Sequence, residues 1–435
     1  MNNDQKTISG FSSLRKRDKI KWIAKNFFTD PESVIHELSS YWHSSDEQQK
    51  ILDGFSENTI SNFPMPFGVA PNFLIDNKTY CVPMVIEESS VVAAAAAAAK
   101  FWMTRGGIHT EILGTKKLGQ VHFLWYKDPE ILKSTFAQAK VKMLEESAEL
   151  EANMKKRGGG ILDIELIDLS HEKDNYFQLK ASFETCDSMG ANFINTCLEQ
   201  FALSLENFYD NLLGENSGIE IIMAILSNYT PECLVKAWVK CPITELGDFK
   251  GGMKAEVFAR RFKDAVDIAE IDPYRAATHN KGIYNGIDAV VLATGNDFRA
   301  IEACGHTYAA ENGYSSLSHC ELKDGEFYFY LKVPLAIGTV GGLTSLHPIA
   351  KRSLELLEQP TAEKLMRIIA ATGLAQNFAA IRSLVTTGIQ EGHMKMHLQN
   401  ILVQLKASDE EFEMAISHFK DRIVSFAAVR EFLSQ

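Results

Sequence analysis

Hydrophobic and polar residues change their spacing several times along the chain, and each spacing predicts a different kind of element. In residues 1–60, apolar positions such as Ile20, Trp22 and Phe27 lie near helical spacing, which predicts short helices. The following FPMPFGVAPNFLIDNKTYCVPMVI predicts strands with a hairpin at IDNKTY. The alanine run after Ser90 predicts a helix, because alanine has the highest helix propensity, with Ser89 or Ser90 as its N-cap.

The pattern changes near residue 114 and then returns to mixed structure near residue 227. QVHFLWY predicts a strand, and residues 130–156 predict one long amphipathic helix that ends at RGGG. Two neighbouring antiparallel strands, a helix and a further strand follow, at ILDIELIDL, YFQLKASFET, NFINTCLEQFALSLENFYDNLL and IEIIMAILS. This order predicts a compact α+β unit at 114–226. Residues 359–385 predict a helix that begins near Pro360 and Thr361.

Composition and charge restrict the classes of protein to consider. The 435 residues are too many for one ordinary core, and 46% hydrophobic with 23% charged residues is typical of soluble globular proteins. A net charge of -12 argues against nucleic acid as the main partner, since phosphate binding needs a basic face. The longest apolar run, residues 90–100, is too short to span a bilayer, and the first residues lack a secretory core. Seven cysteines without a C-x-x-C pair indicate reduced thiols. We therefore expect a cytoplasmic protein with no membrane partner.

Polar residues crowd most densely between residues 271 and 300, in IDPYRAATHNKGIYNGIDAVVLATGNDFRA. The polar groups lie among small residues without an evident 3.6-residue period. This pattern predicts a loop, and two interpretations stay open. The stretch is either a solvated loop with capping Asn and Asp residues, or a loop whose donors and one ammonium converge on a ligand.

Two shorter motifs also carry candidate chemistry. His393 and His397 in GHMKMH share a face if they lie on a helix, but a third metal ligand and the H-E-x-x-H glutamate are absent. We therefore expect no metal, and the histidine is either a single general acid or a surface residue. In CDSMGANFIN, Asp187 and Gly190 precede a predicted helix, whose start can receive a phosphate through free N–H groups. No G-x-G-x-x-G fingerprint and no G-x-S-x-G elbow occurs.

Taken together and in their order, the motifs resemble those of the 3-hydroxy-3-methylglutaryl-coenzyme A reductase family, in its bacterial class II form. The resemblance covers about residues 57–405. It rests on several independent stretches, which are ENTISNFPMPFGVAPNF, VPMVIEESSVVAAAAAAAK, CDSMGAN, DPYRAATHNKGIYNGIDAVVLATGND, TVGG, GLAQN and GHMKMHLQN. The sequence departs from the family pattern at Ser89, where proline is usual, at Ser61, where glycine is usual, and at Ser188, where alanine is usual.

The resemblance implies that two hydrides from a nicotinamide cofactor convert the acyl-CoA thioester to mevalonate and coenzyme A. The implied catalytic residues are Glu88, Lys281, Asp297 and His393. The implied substrate contacts are Ser90, Arg275 and Asn285, and the implied cofactor contacts are Asp187, Met189, Gly190 and Asn192.

The resemblance also implies an α+β architecture in three parts. These are a large discontinuous substrate domain of residues 1–113 and 227–385, a small cofactor domain of 114–226, and a mobile C-terminal helical segment of 386–435 that carries His393. The family forms homodimers with active sites at the interface, so we expect a homodimer or a higher oligomer.

The residue types fit the implied chemistry. A fixed cation at Lys281 stabilises the negative charge that hydride addition builds on the carbonyl oxygen. Glu88 supplies a proton when the intermediate mevaldehyde is reduced, and Asp297 is expected to bridge Lys281 and Glu88. His393 protonates the departing thiolate. Arg275 offers a forked, permanently charged partner for the free carboxylate of the substrate.

The resemblance leaves the cofactor, the direction and the class of function partly open. The family's acidic ribose-binding position falls on Glu151, which favours NADH over NADPH, whereas the nearby Lys155, Lys156 and Arg157 favour a 2′-phosphate. The same chemistry run backwards would oxidise mevalonate. A non-catalytic acyl-CoA-binding protein is an alternative that predicts the loss of a catalytic group, and a thioester hydrolase lacks a supporting motif.

Overall fold

Three short helices at the N-terminus confirm the helical prediction for this region. The computed structural model describes residues 6–214, 217–249, 252–386, 398–419, 422 and 424–434. The helices are α1 (Lys16–Phe27), α2 (Pro31–Ser40) and α3 (Asp46–Asp53). Side chains cap two of them, since Asp30 accepts from the Ser33 N–H and Ser45 accepts from the Gln48 N–H.

A hairpin and the alanine helix follow, both as predicted. Strands β1 (Phe67–Ile75) and β2 (Lys78–Val85) pair antiparallel across Asp76 and Asn77, whose positive φ angles of 48° and 67° suit a two-residue hairpin turn. Helix α4 (Val91–Met103) then packs against β1. Ala95, Ala98 and Ala99 in this helix are buried, and their small side chains let neighbouring backbones approach closely.

A smaller unit with its own sheet is inserted between strands β3 (His109–Ile112) and β8 (Leu234–Pro242). Its elements are β4 (Lys117–Trp125), α5 (Pro129–Glu146), α6 (Ala148–Lys155), β5 (Gly160–Asp168), β6 (Tyr176–Glu184), α7 (Ala191–Leu213) and β7 (Ile219–Leu226). The sheet is antiparallel in the order β5-β6-β4-β7, and its buried residues form a separate cluster around Phe123, Phe177 and Phe201. The prediction of one helix over 130–156 was wrong. Ser147, with φ -93° and ψ -3°, departs from helical geometry and separates α5 from α6.

The rest of the large unit surrounds a second antiparallel sheet. Its further elements are α8 (Ala255–Ile271), α9 (Pro273–Ala293), α10 (Phe298–Ala309), β9 (Ser318–Lys323), β10 (Glu326–Pro334), α11 (Leu343–Leu346), α12 (Pro348–Leu356) and α13 (Ala362–Val385). The strand order is β3-β8-β10-β9. Helix α13 packs most closely against α9 and α4. The mixed architecture confirms the predicted α+β class.

Helix α9 corrects the prediction of a loop at 271–300. Asp272 is its N-cap, accepting from the Tyr274 N–H at 3.0 Å, and Pro273 occupies the first turn. Arg275, Thr278 and Asn285 recur at helical spacing along one face, while buried apolar residues occupy the other. The small residues among the polar ones obscured this period, because they lie where α9 packs closely against other helices.

Helix α13 is long and apolar enough to cross a membrane, but 72% of its most apolar window is buried inside the protein. It therefore has the properties of a core helix. Beyond it, residues 398–404 are helical, and helices α14 (Asp409–His418) and α15 (Phe426–Leu433) follow. Leu402, Phe419 and Val429 belong to a third buried cluster, so this end of the chain has a small core of its own.

Candidate active site

A cavity of ≈ 650 Å³, within the size range of small-molecule sites, lies where α4, α9 and α13 meet. Five of the residues predicted from the sequence line it, which are Glu88, Ser90, Arg275, Lys281 and Asn285. The structure thus brings together side chains separated by almost 200 positions, from the corner before α4 and from one face of α9.

The corner between β2 and α4 presents Glu88 and Ser90 to the cavity. Ser90 is the N-cap residue, as predicted, but its φ of 75° lies in the left-handed region and its side chain makes no capping bond. The hydroxyl therefore stays available at the cavity wall. Glu87, the other acid of the pair, is exposed and does not line the cavity.

Glu88 and Lys281 form an ion pair, with 2.6 Å between Lys281 Nζ and Glu88 Oε2. Their side chains are 39% and 60% exposed, respectively, so the pair lies at the open side of the cavity. An ammonium and a carboxylate in direct contact can supply a fixed positive charge and a proton-carrying group to one bound molecule.

Arg275 lies one to two turns before Lys281 on the same helix and is half-buried in the cavity wall. Within the part of the chain that the structure describes, no acidic side chain pairs with its guanidinium. Burial also lowers the pKa of Arg275 from its ordinary value, which shows that the cation is partly removed from water. A half-buried guanidinium without an acidic partner is a binding site for an anion with forked geometry, such as a carboxylate.

His279, Gln376 and Asn377 are among the further polar residues of the cavity wall that sequence reasoning did not assign. Burial lowers the pKa of His279 to about 3, so its ring is neutral. Its Nε2 lies 2.6 Å from Ser318 Oγ, and that hydroxyl donates to Asn377 Oδ1 at 2.8 Å. The Nδ1 of His279 and the Oε1 of Gln376 are buried without a partner. Two sequence features could have identified these residues, namely the GLAQN stretch, which contains Gln376 and Asn377, and the helical spacing of His279 from Arg275.

Asp297 lies outside this cavity lining and is the N-cap of α10. Its carboxylate pairs with Arg299, at 2.8 Å and 3.0 Å, and accepts from the backbone of the first turn. The Arg299 side chain holds the pKa of Asp297 below its ordinary value. The predicted bridge from Asp297 to Lys281 and Glu88 is not among the contacts of the described residues, because Arg299 occupies the carboxylate.

The turn that carries Asp297 is connected to the Asp187 segment through a glycine turn. The Gly338 N–H donates to Asn296 Oδ1 at 2.8 Å, and the Thr339 N–H donates to Asp187 O at 2.8 Å. A Cβ at Gly338 would overlap the Met189 backbone, so only glycine permits this approach. The predicted catalytic aspartate and the predicted cofactor segment are therefore adjacent.

The Asp187 segment leads directly into α7. Gly190 is the N-cap residue, with a φ of 89° and no side-chain cap, and a Cβ there would overlap Thr185. Met189 and Asn192 flank this helix start. Uncapped N–H groups at the start of a 23-residue helix suit the phosphates of a dinucleotide. The Asp187 side chain faces elsewhere and accepts from the Ala362 N–H at 2.7 Å, at the start of α13.

Glu151, the predicted ribose contact, is buried in α6 with only 3% of its surface exposed. Its carboxylate accepts from the Ile161 N–H at 3.1 Å and pairs with Lys155. The structure thus gives this acid two protein partners. His393, the predicted proton donor to the thiolate, lies outside the described residues. Among the described residues, no group of three or more His, Cys, Asp or Glu side chains could hold a metal ion.

Comparisons with known proteins show which family the chain belongs to. The family model for hydroxymethylglutaryl-coenzyme A reductase matches residues 17–398. A 3-hydroxy-3-methylglutaryl-coenzyme A reductase of Archaeoglobus fulgidus is 37% identical, over 94% of this chain and 89% of that protein. A probable reductase of Borreliella burgdorferi is 32% identical, over 91% and 86%.

Solved structures of the same family also match the fold of this chain. A Streptococcus pneumoniae 3-hydroxy-3-methylglutaryl-coenzyme A reductase matches with a TM-score of 0.73 and 33% identity, over 98% of this chain and 99% of that one. The class II enzyme of the same organism, bound to NADPH in open conformations, matches with a TM-score of 0.72 and 33% identity, over 92% and 97%. With a cavity that joins the Glu88–Lys281 ion pair to the Arg275 guanidinium on the matching fold, the chain is an oxidoreductase acting on a CH–OH group and belongs to the hydroxymethylglutaryl-coenzyme A reductase family.

Proposed function

We propose that this protein reduces 3-hydroxy-3-methylglutaryl-CoA to mevalonate and coenzyme A with NADH or NADPH. One observation supports this proposal above the others. The Arg275 guanidinium is half-buried, no acidic side chain of the described residues pairs with it, and it lines the same cavity as the Lys281–Glu88 pair. A substrate with a free carboxylate at one end and a reactive carbonyl at the other fits this arrangement.

The substrate would be held from its carboxylate end. Arg275 binds the carboxylate through two parallel hydrogen bonds, which fixes both its position and its orientation. Ser90 and Asn285 line the same cavity and supply further hydrogen bonds. These contacts place the thioester carbonyl near Lys281, so that the reacting atoms are aligned before any chemistry takes place.

Lys281 and Glu88 then act on the carbonyl oxygen. Bound nicotinamide supplies a hydride in each of two reductions. The ammonium of Lys281 stabilises the negative charge that develops on oxygen when the carbonyl accepts the hydride. Glu88, in contact with Lys281 Nζ, delivers a proton to the alkoxide when mevaldehyde becomes mevalonate.

Asp297 and His393 are the other two residues that we propose for catalysis. We propose that Asp297 contributes negative charge beside Lys281 when ligands are bound, with Arg299 released from the carboxylate. His393 would protonate the coenzyme A thiolate before it adds back to the aldehyde, since imidazole titrates near neutral pH. His393 is assigned from the family motif GHM alone.

The cofactor would bind at the start of α7. The uncapped N–H groups there and the glycine at position 190 fit a diphosphate, and Met189, Asn192 and the backbone of Asp187 would lie beside it. Because Glu151 already has two protein partners, its role as a ribose contact requires that Lys155 be displaced. We propose NADH as the preferred cofactor. Initial rates with each cofactor, in wild type and in Glu151→Gln, test it. A Glu151→Gln enzyme that gains no NADPH activity would contradict the preference.

The assembly and location follow from the same reasoning. We propose a substrate domain of 1–113 and 227–385, a cofactor domain of 114–226 and a C-terminal segment of 386–435. We further propose a cytoplasmic homodimer, or a higher oligomer, with active sites at the interface. All seven cysteines are free thiols in the structure, which supports a reducing compartment.

The proposed reaction has a stoichiometric test. Purified protein with the acyl-CoA and either cofactor should consume two nicotinamides for each coenzyme A released. Absence of absorbance loss with both cofactors would refute the proposal, and coenzyme A release without cofactor would indicate a hydrolase. Glu88→Gln should abolish mevalonate formation, whereas the exposed Glu87→Gln should not. Mevalonate with coenzyme A and the oxidised cofactor measures the reverse direction.

A further inference from the structure

Lys117 is a buried lysine beside the segment that we propose for cofactor binding. It is the first residue of β4, and only 4% of its surface is exposed. In the antiparallel pairing of β4 with β6, Lys117 lies opposite Phe183, close to the turn that follows β6. Its Nζ atom donates to Ser188 O at 2.9 Å and to Thr185 Oγ1. The lysine is therefore bonded directly to the turn that leads into α7.

The two acceptors of Lys117 also close this turn on themselves. Thr185 Oγ1 donates to Ser188 O at 2.7 Å, and the Ser188 N–H donates to Thr185 O at 3.1 Å. Gly190, the N-cap residue of α7, lies against the Thr185 side chain, which a Cβ at Gly190 would overlap. The lysine thus holds both residues that determine where α7 begins.

On one side the turn borders a cavity instead of a packed core. The cavity has a volume of ≈ 460 Å³ and lies between the inserted unit, which contributes Lys117, Cys186 and Asp187, and the start of α13, which contributes Thr361 and Ala362. Side chains that do not fill the space beside a turn cannot fix its conformation by packing. Hydrogen bonds therefore carry more of this task, and loss of those from Lys117 should let the turn shift.

The position of Lys117 is costly for the fold alone. Among the described residues, no acidic side chain forms an ion pair with its ammonium. The neighbouring Glu184 carboxylate accepts instead from Thr115 Oγ1 and from the Cys186 N–H. An ammonium removed from water without an acidic partner costs free energy, and the partial positive charge at a helix start repels it. A negatively charged group bound at the start of α7 would offset both costs.

We propose that Lys117 is a positioning residue that holds the start of α7 in the geometry that binds the diphosphate of the nicotinamide cofactor. It acts through its hydrogen bonds to Thr185 and Ser188, and its charge adds to the positive potential at the helix start. Neither the cofactor nor the substrate has to touch it. The inference rests on the proposed function, because it assumes that the cofactor binds at this segment.

Equilibrium binding of NADH and of NADPH to the full-length protein, measured without turnover, tests the proposal. Lys117→Met keeps an unbranched side chain but removes the donor. It should raise the cofactor Kd about tenfold or more, as expected for the loss of a hydrogen bond from a charged group. The Kd of 3-hydroxy-3-methylglutaryl-CoA should stay unchanged, although this ligand also carries a diphosphate. Thr185→Val removes only the hydroxyl of the turn and should act in the same direction.

Thr135→Val is the matched control, because the Thr135 hydroxyl lies 3.0 Å from the Tyr209 hydroxyl near the opposite end of α7. It should keep the wild-type cofactor Kd. Wild-type cofactor affinity in Lys117→Met, or an equal loss of affinity for cofactor and acyl-CoA, would overturn the proposal. If Lys117→Met does not fold, Thr185→Val decides by the same criteria. A wild-type protein that binds neither cofactor would refute the inference and the proposed function together. Cofactor binding that depends on Lys117 in a protein without turnover would refute the proposed function alone.

Discussion

Replacing Lys281 with alanine should separate catalysis from stability more sharply than any other single change. The lysine contacts Glu88 at 2.6 Å, and the two side chains are 60% and 39% exposed. At that distance in a water-like medium the Coulomb energy is about 1.6 kcal/mol, and the side-chain entropy of holding the pair offsets much of it. The free energy of unfolding should thus fall by no more than about 1 kcal/mol.

The effect on catalysis should be much larger. Loss of one group that stabilises a developing oxyanion costs roughly 10²–10³ in kcat, or about 3–4 kcal/mol in the activation barrier. The activation barrier should therefore change by several times more than the free energy of unfolding does. Steady-state kinetics and urea unfolding on the same preparation measure the two quantities.

Lys78→Ala provides a matched control for this prediction. Lys78 pairs with Glu358, also at 2.6 Å and also at the surface, with 38% and 66% of the side chains exposed. Neither residue lines the cavity. This variant should lose a comparable small amount of stability and keep its kcat. If Lys281→Ala retained more than about a tenth of wild-type kcat, the assignment of the lysine to the oxyanion would be wrong.

Two further changes test the cofactor segment and the ionisation of the buried Lys117 amine. Gly338→Ala should raise the KM for NADH or NADPH more than the KM for the acyl-CoA, because the new Cβ would overlap the Met189 backbone; equal changes in both KM values would argue against a cofactor at this segment. Burial lowers the pKa of Lys117 from its ordinary 10.5, so the unfolded chain binds more protons and wild-type stability should rise with pH up to about 10.5. In Lys117→Met this contribution should vanish, and thermal unfolding of both proteins across pH 7–10 measures the difference. A parallel dependence in the two proteins would show that the Lys117 amine stays charged when buried.

The sequence predicted local structure well wherever one physical rule dominated. Alanine propensity located α4, and the turn residues Asp76 and Asn77 located the first hairpin. The order of elements in the inserted unit was also correct. Within the site, the family motifs identified five residues that line one cavity, which periodicity alone could not select from the other polar residues.

The failures have equally specific causes. Helix α9 was predicted as a loop because small and polar residues serve two purposes there, lining a cavity on one face and packing closely on the other. The break at the buried Ser147 had no cue in the spacing of the surrounding residues. The partner of Asp297 could not be predicted, because only the folded structure shows that Arg299, two residues further on, pairs with this carboxylate.

The chain leaves the β3-β8-β10-β9 sheet for the inserted unit at the end of β3 and returns to it at the neighbouring start of β8. The Leu113 N–H donates to Leu234 O at 2.8 Å, and the Leu234 N–H donates to Gly114 O at 3.0 Å. Inside the unit the two ends again lie side by side, since β4 and β7 pair from Gly119 and Leu226 onwards. In topological terms the unit is therefore the loop of a hairpin formed by β3 and β8.

This arrangement has a consequence for the order of folding. Closing a flexible loop of about 120 residues instead of a four-residue turn costs about 3 kcal/mol more in chain entropy. A unit that has already folded holds its own ends together and removes most of that cost. The pairing of β3 with β8 should therefore follow the folding of the inserted unit. The β3-β8-β10-β9 sheet should then be completed after the sheet of the inserted unit, even though β3 precedes that unit in the chain.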